Sequence, residues 1–150
     1  MKIKRCLGVT AYLKSANEGV AFFRDVLGAK IGPDIPQTRP YGHRAFGTWI
    51  GEEEPFRIEL AESIDDELVI GKQIKKYAPC YSSVTLEVEN IDEAIKELRD
   101  KGIKVSDKIP FDFDWCEYCY EAMIHPKSAT GLKIELIEWK LKPGAEKGIW

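Results

Sequence analysis

The chain has 150 residues, 44% of them hydrophobic and 31% charged, with a formal net charge of −3. That is the length and balance of one ordinary domain, able to bury about two thirds of the surface its unfolded form exposes, which excludes a disordered chain. Mild acidity with scattered lysines leaves no footprint for a phosphate backbone, so nucleic acid is excluded as a partner, and no run approaches the roughly 18 apolar residues of a membrane-crossing helix.

The opening Met1–Arg5 leads into a mixed strand rather than an apolar export segment, so the expected location is cytoplasmic and no membrane partner is expected. In that setting Cys6, Cys80, Cys116 and Cys119 are expected as reduced thiols. The first strand ends at Ser15, which stands three residues before Glu18 and so reads as the cap of a helix starting near residue 16. Val20, Phe23 and Leu27 then recur at helical spacing and Gly28 closes the helix in a left-handed conformation. A short strand, Ala29–Ile31, follows, then a loop rich in proline and aspartate and two further strands, the last reading IELAE at 58–62. Residues 64–79 form a linker with a short helix over Ile70–Tyr77.

The order then repeats. Residues 8–18 read GVTAYLKSANE and residues 83–93 read SVTLEVENIDE, so Val9, Thr10 and Glu18 match Val84, Thr85 and Glu93 at a constant offset. Asn90 and Glu93 give a second helix start near residue 91, with Ile91, Ile95 and Leu98 as its apolar stripe and Gly102 as its stop. A strand at Ile103–Val105, a loop, and two strands ending in IELIE at 134–138 complete the copy, and residues 140–150 read as an extended tail. The fold class is therefore α+β. Two tandem βαβββ modules, about 4–63 and about 80–139, are expected to form an open cleft or half-barrel of mixed β-sheet with the helices outside. A ferredoxin-like sandwich is the alternative, but its repeat is shorter and lacks two of these strands.

Three segments carry a resemblance over roughly residues 5–139: FFRDVLGAK at 22–30, LEVENIDEAIKELRDKGIKV at 86–105 and HPKSATGLKIELIE at 125–138. They resemble the vicinal oxygen chelate superfamily of glyoxalases, bleomycin-resistance proteins and dioxygenases, and within it the methylmalonyl-CoA epimerases. The resemblance implies a divalent metal held by a histidine on the first strand and a glutamate or glutamine on the last strand of each module. Carried over, the acids fall on Glu59 and Glu135, and the histidine positions on Gly8 and Ser83. The resemblance thus implies either no cofactor or a divalent metal with Glu59 and Glu135 as its ligands. The epimerases' catalytic glutamate has no counterpart in QTRPYGHRAF, where Arg39 is close to its place.

Glu59 and Glu135 are the first candidates, either as solvent-facing strand acids or as a cleft-facing acid and base pair. His43 shares a strand face with Ala45, Gly47 and Trp49, and is a candidate base or substitute ligand or, equally, a partly exposed strand histidine. Phe46, Trp49, Phe113, Trp115, Tyr118 and Tyr120 are candidate ligand-binding aromatics, with ordinary core packing as the alternative, and Arg39 is a candidate cation for a carboxylate or phosphate. Cys6 shares the Gly8 face; His125 stands before a proline in a turn and is assigned no catalysis. Strand alternation would point Cys116 and Cys119 to opposite faces unless a bulge intervenes, and no second pair exists to complete a zinc knuckle.

Two functions follow. One is an isomerase, or a lyase, of this superfamily, an enzyme moving a proton next to the carbonyl of an acyl thioester or small acid, with Glu59, Glu135 and His43 as its catalytic groups. The other is a metal-free, non-catalytic binding protein of the bleomycin-resistance type that sequesters a small molecule or antibiotic. Self-association through sheet edges, as a homodimer, is expected in either case.

Overall fold

The computed structural model describes residues 1–37, 40–51 and 56–145. Two compact units emerge, one of residues 8–82 and the other of residues 1–7 with residues 83–145. Each is a βαβββ module, and the fold is α+β. The tail beyond residue 145 lies outside the described residues.

The first module contains β1 (Ile3–Tyr12) from Gly8 on, its residues 3–7 belonging to the other unit, with α1 (Ala16–Asp25), β2 (Lys30–Gln37), β3 (His43–Ile50), β4 (Phe56–Ser63) and α2 (Val69–Tyr77). Its strands run in the order β2-β3-β4-β1, with β1 parallel to β4 and the rest antiparallel. The parallel pair requires a crossover, which α1 begins. The backbone N–H of Glu18 donates to Ser15 Oγ at 3.3 Å, and Gly28 takes a φ of 67°, so both helix signals hold. Val20 and Phe23 pack on Ala11, Ile58 and Leu60, whereas Leu27 is exposed. The helix ends at Asp25, two residues short of Leu27. β2 is longer than the three residues expected. It carries Pro33 and Pro36 on the outer side of the order, where a missing N–H breaks no ladder, and its register shifts between Ile31 and Asp34.

The second module contains β5 (Cys80–Val88), α3 (Ile91–Asp100), β6 (Ile109–Phe111), β7 (Cys116–Ile124), a 3-10 turn (Pro126–Ser128) and β8 (Lys133–Leu141). The order is β5-β8-β7-β6, again with only the first and last strands of the module parallel. Asn90 Oδ1 accepts the Glu93 N–H at 3.0 Å and Gly102 has a φ of 76°. Ile91, Ala94, Ile95 and Leu98, spaced three and four apart, close the core against Val88, Ala122, Ile124 and Leu136. Each large aliphatic side chain so buried stabilises by about 1.5–3 kcal/mol. The strand expected at Ile103–Val105 is reduced to one bridge, Val105 to Ile124. Ser106 then turns the chain, its N–H donating to the Met123 carbonyl while its Oγ accepts the Met123 N–H. Pairing resumes only at Ile109.

Candidate functional site

Cross-strand register assigns the faces. In the first module Gly47 lies opposite Glu59, Trp49 opposite Arg57, and Ala45 opposite Ala61. In β1, Thr10 is the register partner of Glu59 and Gly8 that of Arg57. His43, Ala45, Gly47 and Trp49 therefore share one face with Thr10, Arg57 and Glu59, while Phe46, opposite Leu60, lies on the α1 side. α2 covers Tyr12, Ala45 and Ala61 on the first of these faces through Ile74, leaving the Gly47–Glu59 pair beyond it.

Glu59 is the centre of that patch. Its Oε2 accepts from Arg57 Nη2 at 2.6 Å, and among the described residues its Oε1 receives only a long contact, 3.5 Å, from Thr10 Oγ1. Arg57 is buried (8% exposed), as are Trp49 (5%) and His43 (7%). Arg57 Nε, Trp49 Nε1 and His43 Nδ1 have no hydrogen-bond partner among the described residues. Burial lowers the His43 pKa and the charge of Glu59 restores part of the shift, so the imidazole is neutral near pH 7. Tyr41 packs edge-on against it, with ring centroids 6.2 Å apart. Arg44 and Glu62, on the opposite side, form an ion pair at 2.5 Å and Glu62 also accepts the Ala16 N–H at the start of α1.

The second module repeats the pattern. Thr85 and Glu135 are register partners, and Thr85 Oγ1 donates to Glu135 Oε2 at 2.7 Å. Their face also carries Glu87, Ile137, Met123 and Glu121. Glu87, a residue sequence reasoning passed over, is buried at 3% exposure and paired with Lys4 and Arg5. Burial would raise its carboxyl, but the hydrogen bonds from Lys4 and Arg5 outweigh that and hold it below the ordinary range.

The aromatic residues divide. Tyr118 and Tyr120 lie opposite Lys140 and Glu138, on the α3 side, stacked on each other at 5.6 Å with Lys108 over the Tyr120 ring. Partial burial, then Glu138, raises the Tyr118 phenol. Phe111, Phe113 and Trp115 stack in a ladder with centroids 5.7 and 5.0 Å apart, so each ring takes a neighbouring ring as partner. Arg39 lies outside the described residues. His125 Nδ1 accepts the Lys127 N–H and caps the 3-10 turn, a structural role, and Cys6 is exposed. A register shift between Cys116 and Tyr118 supplies the bulge that buries Cys116 and Cys119 together. Burial raises the Cys116 thiol despite Lys142 nearby, and the four cysteines form no disulfide.

The residues do not fit the metal the resemblance implies. Gly8 brings no ligand, and a Cβ there would stand 2.0 Å from the Arg57 carbonyl oxygen, so the first-strand position is closed. Ser83 offers a neutral hydroxyl only, and the guanidinium of Arg57 already neutralises Glu59. Among the described residues no group of three or more His, Cys, Asp or Glu side chains is gathered as ligands.

Both copies thus carry a βαβββ module with a threonine beside a glutamate of the last strand, Thr10 with Glu59 and Thr85 with Glu135. The chain belongs to the glyoxalase/bleomycin resistance protein/dioxygenase superfamily, whose family model matches residues 10–120. Among solved structures it is similar to methylmalonyl-CoA epimerase from Mycobacterium tuberculosis, with a TM-score of 0.79, 21% identity and coverage of 91% of this chain and 88% of that one. The Streptomyces coelicolor methylmalonyl-CoA epimerase in complex with 2-nitronate-propionyl-CoA gives 0.79, 18%, 91% and 98%. A hypothetical protein from Bacillus halodurans gives 0.77, 24%, 95% and 98%. No curated protein matches the chain. At these identities the likeness is one of fold. No helix among the described residues is long and apolar enough to cross a membrane.

Proposed function

We propose that the protein moves a proton next to the carbonyl of an acyl thioester or related small acid, epimerising or isomerising it, with Glu59 as the base. The observation that carries this reading is the asymmetry of the Glu59 carboxylate. Arg57 holds Oε2 at 2.6 Å and fixes the group, while among the described residues Oε1 has only the 3.5 Å contact from Thr10 and keeps its capacity to accept. Gly47, the cross-strand partner of Glu59, brings no side chain of its own to the carboxylate.

In the step, the α C–H bond breaks, its proton joins Glu59 Oε1, and its electron pair moves through the new C=C bond onto the carbonyl oxygen. Return of a proton to carbon restores the carbonyl, so no oxidant or reductant is consumed. His43, on the same face, is neutral through burial. Methylmalonyl-CoA epimerases of like fold, one of them in complex with 2-nitronate-propionyl-CoA, support an acyl thioester as the substrate class. The test follows α-deuterium incorporation into methylmalonyl-CoA in deuterated water. Wild type exchanges and the near-isosteric Glu59→Gln does not; equal exchange by both would remove Glu59 from the role.

A further inference from the structure

The proposed reaction places negative charge on a carbonyl oxygen, and among the described residues no metal-type ligand set is gathered to receive it. Two N–H groups on the same face are available instead. Trp49 and Arg57 are cross-strand partners on β3 and β4, both more than nine-tenths buried, and Trp49 Nε1 and Arg57 Nε each lack an acceptor among the described residues. Indole and guanidinium nitrogens donate and cannot accept, so only an oxygen or another acceptor satisfies them. Native structures rarely leave such groups unmade, and two unmade donors on cross-strand partners require an explanation.

The surroundings give one. Glu59 holds Arg57 through Nη2, which restrains the plane of the guanidinium while Nε keeps its own N–H to donate. Gly8, the register partner of Arg57, is so close to its backbone that no side chain fits between the strands. The arginine is thereby seated two residues from the proposed base, on the same face, screened from water. A charged donor so screened acts most strongly on charge that develops beside it.

We infer that Arg57 Nε–H and Trp49 Nε1–H form an oxyanion site that receives the carbonyl oxygen of an acyl thioester as it becomes an enolate oxygen. The inference rests on the proton-transfer reading above. Both groups touch the reacting oxygen, so both are catalytic, and Glu59 serves them by orienting the guanidinium as well as by taking the proton.

The test uses the full chain and 2-nitronate-propionyl-CoA, whose anionic oxygens mimic the enolate. In wild type, the Trp49 indole N–H resonance, assigned by its loss in Trp49→Phe, moves downfield on titration. Trp49→Phe and Arg57→Lys each bind the nitronate about 10–100-fold more weakly and lower kcat more than they raise KM, the range expected for one lost hydrogen bond to a charged group. An unmoved indole resonance in wild type, which needs no variant to fold, overturns the oxyanion site, as does wild-type affinity in Trp49→Phe. A resonance that moves while no thioester exchanges its α-proton upholds the site and refutes the catalytic reading instead.

Discussion

The carboxylate of Glu62, on β4, accepts the backbone N–H of Ala16, the first residue of α1, at 2.6 Å. Glu138, on β8, does the same for Ile91 at the head of α3, at 2.7 Å. In both modules the last strand thus supplies a charged cap to the first helix, beside the side-chain caps Ser15 and Asn90. Glu138→Gln keeps an acceptor but removes the charge and should cost about 1 kcal/mol, and Glu138→Ala about 2 kcal/mol. Urea denaturation checks this, with amide exchange showing the loss concentrated in the first turn of α3.

Gly8 stands where the resemblance implies a histidine, and the backbone of β4 closes that position. Gly8→Ala should therefore destabilise by about 1–3 kcal/mol through overpacking, and Gly8→His by more, without creating a metal site. Thermal unfolding with and without added zinc or cobalt reads both outcomes.

Burial lowers the His43 pKa beneath its ordinary 6.5, against the partial opposition of Glu59. Between that native value and 6.5 the unfolded chain binds more protons than the folded one. Stability therefore falls as pH drops through this window and the effect is complete below the native pKa. His43→Asn removes this slope, and Glu59→Gln steepens it by deleting the charge that favours imidazolium. Denaturation midpoints at about pH 7.5 and about pH 5.5 distinguish the three proteins.

Glu87 is buried, whereas Lys4 and Arg5 that pair with it are largely exposed. Deleting the carboxylate frees two cations into water, but deleting the cations strands a buried charge. Lys4→Ala with Arg5→Ala should cost about 3 kcal/mol and Glu87→Gln less than half of that. The wild-type contribution is present above pH 4.5 and is lost as pH falls through the depressed native value.

Local signals were legible because they act over four residues: Ser15, Asn90, Gly28 and Gly102 each need only their own turn to be read. The fold followed from their repetition. The candidate site was legible only in part, since it depends on partners across strands. IELAE and IELIE each hold two glutamates, and it takes register to see that Glu59 and Glu135 meet threonines while Glu62 and Glu138 meet helix ends. Phe46 and Trp49, three apart in one strand, point to opposite faces, so alternation alone already forbids both from lining one surface. Arg57 carries no motif; its burial, its grip on Glu59 and its pairing with Trp49 exist only once β3 and β4 are aligned.

The central claim is that Glu59 Oε1 removes an α-proton next to a carbonyl. It is tested most directly by incubating metal-free protein with methylmalonyl-CoA in deuterated water and following the α-proton signal. Wild type should incorporate deuterium, and Glu59→Gln, shown folded by circular dichroism, should lose at least about 100-fold of that rate. Absence of exchange in wild type, or exchange undiminished in Glu59→Gln, would contradict the account.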